Sequence, residues 1–79
     1  MNKERREELW DVYTSLDDAM SKVIDVRSDE QDSFDNLPDG LQASRTGESI
    51  QEAIDWLDEL ESSIQSVRDK VEKYIKNKK

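Results

Sequence analysis

Carboxylates are the abundant reactive groups of this chain. Its 79 residues include 20 Asp and Glu, no His and no Cys, and the formal net charge is −8. The absence of imidazole and thiol removes the commonest general base, the commonest nitrogen ligand and the thiolate nucleophile. Acid pairs such as Asp17/Asp18 and Asp58/Glu59 have no accompanying pocket signal that would separate their pKa values. We therefore expect a non-enzymatic protein that uses no cofactor.

One cluster near the middle of the chain approaches a calcium-binding motif. A helix–loop–helix calcium loop needs oxygen ligands at positions 1, 3, 5 and 12, and Gly at position 6. Asp35, Asp39 and Gly40 satisfy positions 1, 5 and 6, but Leu37 at position 3 and Thr46 at position 12 do not fit. The stretch is better interpreted as turn chemistry, and we expect no metal site.

Residues that break helices are confined to the middle of the chain. The single proline, Pro38, and both glycines lie there, and long stretches on either side contain neither residue type. Thr46 is the expected N-cap of the helix that follows. The sequence therefore predicts a single helical domain over residues 1–79, with helices at about 3–34 and 47–76, a loop at 35–46 and a frayed basic tail at 76–79.

The apolar residues of both predicted helices follow a heptad pattern, which predicts a coiled-coil pairing. In the first helix the a positions are Leu9, Leu16 and Val23 and the d positions are Val12, Ala19 and Val26. In the second helix the a positions are Ile50, Leu57, Ile64 and Val71 and the d positions are Ala53, Leu60, Val67 and Tyr74. We expect an antiparallel hairpin in which a residues face d residues.

A lone hairpin of this composition buries little apolar surface. Apolar residues at the heptad e positions, such as Tyr13, Met20 and Ile54, widen the stripe beyond a two-helix seam. Trp10 and Trp56 lie outside the seam as well. We therefore expect two hairpins to form a homodimeric four-helix bundle.

The charge is distributed unevenly along the chain. Residues 7–67 contain 17 acidic and three basic side chains, a net charge of −14, whereas residues 1–6 carry +2 and residues 68–79 carry +4. Such a surface can simply be solvated, or it can imitate nucleic acid. A helix of this body spans ~40 Å, a length over which duplex DNA carries roughly 24 phosphates. Two copies, at −28, would have a comparable charge density.

The region between the helices reads D-E-Q-D-S-F-D-N-L-P-D-G-L-Q-A-S-R-T-G-E from residue 29 to residue 48. It resembles a segment of small uncharacterised acidic helical proteins of bacteriophages and Gram-positive bacteria, which place this pattern between two helices. The resemblance implies a phage context, in which small acidic proteins bind a host protein and some of them mimic DNA. It brings no catalytic residues with it.

Two functions remain open. In the first, the protein is an inhibitor in the bacterial cytoplasm that occludes the nucleic-acid site of a basic, DNA-binding host protein, such as a histone-like nucleoid protein, without contacting nucleic acid or membrane itself. Its contacts would be Asp11, Asp17, Asp18, Asp25, Asp29, Asp32, Glu52, Asp55, Asp58, Glu59 and Glu61. In the second, it is a structural or assembly protein whose apolar contacts are Trp10, Ile24, Trp56 and the loop residue Leu37.

Overall fold

A computed structural model describes residues 1–77, and in this range the regular structure is entirely helical. Three helices follow one another: α1 (Lys3–Asp35), α2 (Asp39–Gln42) and α3 (Arg45–Asn77). The two long helices pack against each other along a molecule of 59 × 14 × 13 Å. The predicted all-α hairpin is confirmed in this respect. Within the described range, neither long helix has an apolar stretch sufficient to cross a membrane.

The ends of α1 are defined by local hydrogen bonds. Asn2 caps the N-terminus, because its Oδ1 accepts a hydrogen bond from the backbone N–H of Arg5 at 2.9 Å. At the other end the N–H of Asn36 donates to the carbonyl of Asp32 at 3.0 Å. Pro38, which follows, lacks the N–H that would continue the helix. Both predicted boundaries of the first helix therefore agree with the structure to within one residue.

The predicted loop is more regular than expected, because it contains the short helix α2. The second long helix begins at Arg45, and the carbonyl of Ser44 accepts the first backbone bond of α3 from Glu48 at 2.9 Å. Thr46 is therefore inside the helix, and its predicted N-cap role is wrong. Lys76 also lies in α3 rather than in a frayed tail, while Lys78 and Lys79 of that predicted tail lie outside the described residues.

The seam between the long helices uses heptad positions a and e, so the expected pairing of a with d is wrong. The most buried apolar side chains are Ile54 and Leu57, each 6% exposed, and Ile75, 9% exposed. By contrast, the d residues Val12 and Val67 are 44% and 49% exposed. The reason is size and charge: in α1 the e positions carry the larger side chains, namely Tyr13, Met20, Arg27 and Phe34, and charged pairs join the helices there.

Candidate functional site

A column of carboxylates runs along the outer edge of α1. Asp11, Asp18, Asp25 and Asp32 follow one another at seven-residue intervals, which places successive carboxylates roughly 10 Å apart along the helix. These heptad c positions lie opposite the seam, and all four residues are exposed. Among residues 1–77 none of them forms an ion pair. The column can therefore present negative charge to a partner.

The second helix carries its own exposed acids on the opposite edge of the hairpin. Glu52 and Glu59 occupy the c positions of α3, and Asp55 lies beside them, where it accepts a hydrogen bond from Gln51 at 3.2 Å. Since c positions point away from the seam on both helices, the two sets of acids face in opposite directions. Asp29 is exposed on α1 but lies outside its acidic column. The predicted acids thus form two edges, not one surface.

Three of the predicted contact acids are instead engaged within the chain. Arg27 Nη1 lies 2.5 Å from Asp58 Oδ1 and 2.5 Å from Glu61 Oε2. Arg68 Nη1 lies 2.6 Å from Asp17 Oδ1. These ion pairs join α1 to α3. Asp17, Asp58 and Glu61 therefore join the two long helices, while 49% of the Asp17 side chain and 61% of the Asp58 side chain remain exposed.

The electrostatics of these pairs favour the charged forms. The pKa of Arg27 is raised, chiefly by its hydrogen bond to Glu61 and next by the one to Asp58. The pKa of Arg68 is raised mainly by its hydrogen bond to Asp17. Both arginines therefore keep their positive charge across the ordinary pH range.

A second polar cluster lies toward the open end of the hairpin. Arg68 sits 5.7 Å from the centre of the Tyr13 ring, within cation–π range. A hydrogen bond to Glu72 is the main cause that raises the pKa of Tyr13. The pKa of Glu72 is lowered, first by Lys76 at 2.9 Å and then by Tyr13. The cluster thus links α1 to the last turns of α3.

The predicted apolar contacts differ in how accessible they are. Trp56 is 60% exposed, whereas Trp10 and Ile24 are 37% and 36% exposed. Trp10 also packs edge-on against Tyr13, with ring centroids 5.4 Å apart. Leu37 is half-buried, and the carbonyl oxygen of its backbone accepts a hydrogen bond from Gln42 Nε2 at 3.5 Å. Trp56 is therefore the most accessible of the four.

Sequence reasoning missed the two arginines at the seam. Arg27 and Arg68 occupy e positions, and Glu61 is a third charged residue at such a position. Charges of opposite sign at e on two helices predicted to pack are a usable signal for cross-helix pairs. A stripe centred on a and d places these e residues at its margin, so that the pattern does not predict the cross-helix pairs.

Taken together, these groups can bind charge and stabilise a hairpin. In residues 1–77 no group of three or more acidic side chains is placed to hold a metal ion. The exposed acids on the two edges therefore remain the candidate functional groups. Comparisons with protein-family models, curated proteins and solved structures found no match to this chain.

Proposed function

We propose that the protein is a non-catalytic, acidic binding module that occupies the cationic nucleic-acid groove of a host DNA-binding protein. The observation that carries this proposal is the unpaired column of carboxylates on α1. From Asp11 to Asp32 it extends over roughly 30 Å, close to one turn of duplex DNA. A helical row of negative charge on this scale complements a groove lined with Lys and Arg.

The charge per unit length of the acidic surface determines whether one copy or two copies are needed to imitate DNA. Carboxylates spaced by roughly 10 Å are sparser than the phosphates of duplex DNA, at one charge per ~1.7 Å. The acids on the edge of α3, including Glu52 and Glu59, add to the field. The complete body at −14 approaches the density of DNA when two copies associate. The proposed inhibitor is therefore most effective as a dimer.

The experiment that tests this function is competition with DNA on a captured partner. The protein is immobilised, exposed to nuclease-treated bacterial lysate and washed, and the retained DNA-binding protein is then purified. We expect duplex DNA to displace it and log K to fall linearly with log salt, as for contacts that release counterions. Retention that is unaffected by DNA and by salt contradicts the proposal.

Two matched variants show which of the two acidic edges contacts the partner. One variant replaces Asp11, Asp18, Asp25 and Asp32 by Asn, and the control replaces Glu52 and Glu59 by Gln and Asp55 by Asn. We expect the α1 variant to bind the partner at least ~tenfold more weakly, because four charge contacts are lost. The control should bind with a smaller loss at the same helicity. Equal affinity of the α1 variant and the unmodified protein would refute the assignment.

Trp56 favours a second candidate function, the structural or assembly module. An indole that is 60% exposed is available as an anchor in a protein interface. In that case the partner stays bound at high salt, and Trp56→Ala abolishes binding. Trp10→Ala is the control and should have a smaller effect, because the Trp10 indole is partly covered. The two functions are therefore separated by the size of the salt response: affinity falls steeply with salt in the first and little in the second.

A further inference from the structure

The hairpin covers two of the three apolar positions in each heptad more fully than the third. Positions a and e meet across the seam, whereas the apolar d positions are only partly covered: Ala19, Ala53 and Leu60 are half-buried and three valines are exposed. Val12, Val26 and Val67 are 44–49% exposed. A stripe of three apolar positions per heptad is typical of helices in bundles, whereas two suffice for a two-helix coiled coil. The hairpin therefore leaves its third apolar position incompletely covered.

The d residues of both helices lie on one side of the hairpin. The cross-helix ion pairs establish this, because Asp17 and Asp58, both at b positions, reach the seam arginines of the opposite helix from the same flank. Positions b and d flank the seam on opposite sides of each helix. The b residues occupy one side, so the d residues occupy the other. We call this side the d face: Val12, Ala19, Val26, Ala53, Leu60 and Val67.

The d face is also where the acidic charge is missing. The d and g positions of the two long helices hold three basic residues, Arg5, Lys22 and Lys70, and two acidic residues, Glu8 and Asp29, a net charge of +1. The b, c and f positions of the same helices carry a net charge of −11. Along the acidic body, an approaching acidic molecule is therefore repelled less from this side than from the b, c and f sides.

We propose that the d face is the surface on which a second copy of this chain packs, to form a four-helix bundle with its acids outside. A second copy offers a face of the same length, the same apolar pattern and nearly zero net charge. The d face runs over roughly 21 Å of each helix, from Val12 to Val26 and from Ala53 to Val67, and a second copy would cover this apolar stretch on both helices at once. Small residues at Ala19 and Ala53 allow close approach of the helices. The inference is independent of the proposed inhibitory function, since it concerns the apolar side alone.

The test measures molecular mass with a pair of matched variants. Sedimentation equilibrium of the unmodified protein should give twice the chain mass of 9.2 kDa. Val26→Asp places a charge on the d face, and Ile24→Asp places the same charge two residues away on the opposite side. We expect Val26→Asp to weaken the dimer by at least ~100-fold, from the desolvation of a buried charge, and Ile24→Asp to remain dimeric. Dimeric Val26→Asp, or monomeric Ile24→Asp, would overturn the assignment of the face.

A second measurement remains decisive if Val26→Asp fails to fold. The melting temperature of the unmodified protein should rise with concentration between about 5 and 500 μM, because association stabilises the folded state by mass action. A melting temperature independent of concentration, together with a mass of one chain, would show that no second copy binds and would refute the proposal. Neither result depends on the host partner.

Discussion

At the residue scale, Gly47 has a role that its neighbours in sequence do not reveal. It is the one buried residue of the first turn of α3, and a Cβ atom there would lie 2.0 Å from the carbonyl oxygen of Gln42. That oxygen belongs to the backbone and cannot rotate away. The sequence predicts Gly47 as the first residue of the second helix, at the edge of the turn-rich stretch, and the structure shows that it also lets α2 contact α3.

We expect Gly47→Ala to destabilise the protein by about 1–3 kcal/mol, since the backbone of α2 must shift to admit the methyl group. Gly40→Ala is the matched control, because nothing lies within 4 Å of a Cβ at Gly40. Alanine inside helix α2 should leave stability unchanged or raise it by up to ~1 kcal/mol. Urea denaturation of the two variants measures both effects. Equal urea midpoints for Gly47→Ala and Gly40→Ala would show that the backbone of α2 admits the methyl group at Gly47 without a loss of stability.

Tyr13 offers a spectroscopic test of the cluster at the open end. Its pKa is raised, chiefly by the hydrogen bond to Glu72. The interaction therefore stabilises the fold below the unfolded pKa of tyrosine and is lost as the pH rises through the folded value. In a Tyr74→Phe background, absorbance near 295 nm follows Tyr13 alone. We expect Glu72→Gln to lower the midpoint of this titration, and an unchanged midpoint would show that the hydrogen bond is absent in solution.

Glu72 has the opposite pH dependence. Its pKa is lowered, first by Lys76 and then by Tyr13, so its contribution is present above the unfolded pKa and is lost as the pH falls through the folded value. We expect Lys76→Gln to raise the pKa of Glu72 toward 4.5, as measured by carboxylate NMR. Lys73→Gln, three residues away, is the control and should leave it unchanged. A shift of the same size in both variants would indicate general charge loss rather than the specific pair.

At the element scale, the helices were predictable and their pairing was not. Boundaries agree to within two residues because Pro38, the glycines and long breaker-free stretches are local signals. The residues of the seam depend on whether the d side or the e side of the apolar stripe faces the other helix. Apolar periodicity alone does not distinguish these two sides. The ion pairs at e depend on register across the hairpin. For the same reason Asp17, Asp58 and Glu61 were predicted as exposed contacts, although the seam arginines bind them.

The Arg27 pairs can be separated from the packing around them. Glu61 is half-buried, with 22% of its side chain exposed, so Arg27→Met leaves this carboxylate without its cation and should lower stability. Replacing Arg27 and Glu61 together by Met gives the seam two apolar residues. We expect the double variant to recover the stability of the unmodified protein, because an apolar pair of similar size often equals a desolvated ion pair. Midpoints of thermal melting compare the three proteins. A double variant less stable than the unmodified protein would show that the ion pair stabilises the seam more than the apolar pair does.

At the scale of the whole molecule, net charge and apolar surface act in opposite directions. The body of the hairpin, at −14, repels itself, while the uncovered d face favours association. Acids outnumber bases by 17 to three over residues 7–67, so most acids of the body have no basic side chain within it to pair with. Added salt screens repulsion between exposed charges more than it weakens the half-buried pairs.

Because of this balance, dimerisation and binding of the cationic partner should respond to salt in opposite directions. Bringing two acidic chains together becomes easier as salt screens their repulsion, so dimerisation through the d face should tighten between about 20 and 500 mM NaCl. Binding of the acidic edges to a cationic groove should weaken over the same range, because counterions compete for both partners. Sedimentation of the protein alone and titration of the captured partner measure the two constants separately. A dimer that dissociates with salt would mean that charged contacts, and not the d face, hold the two copies together.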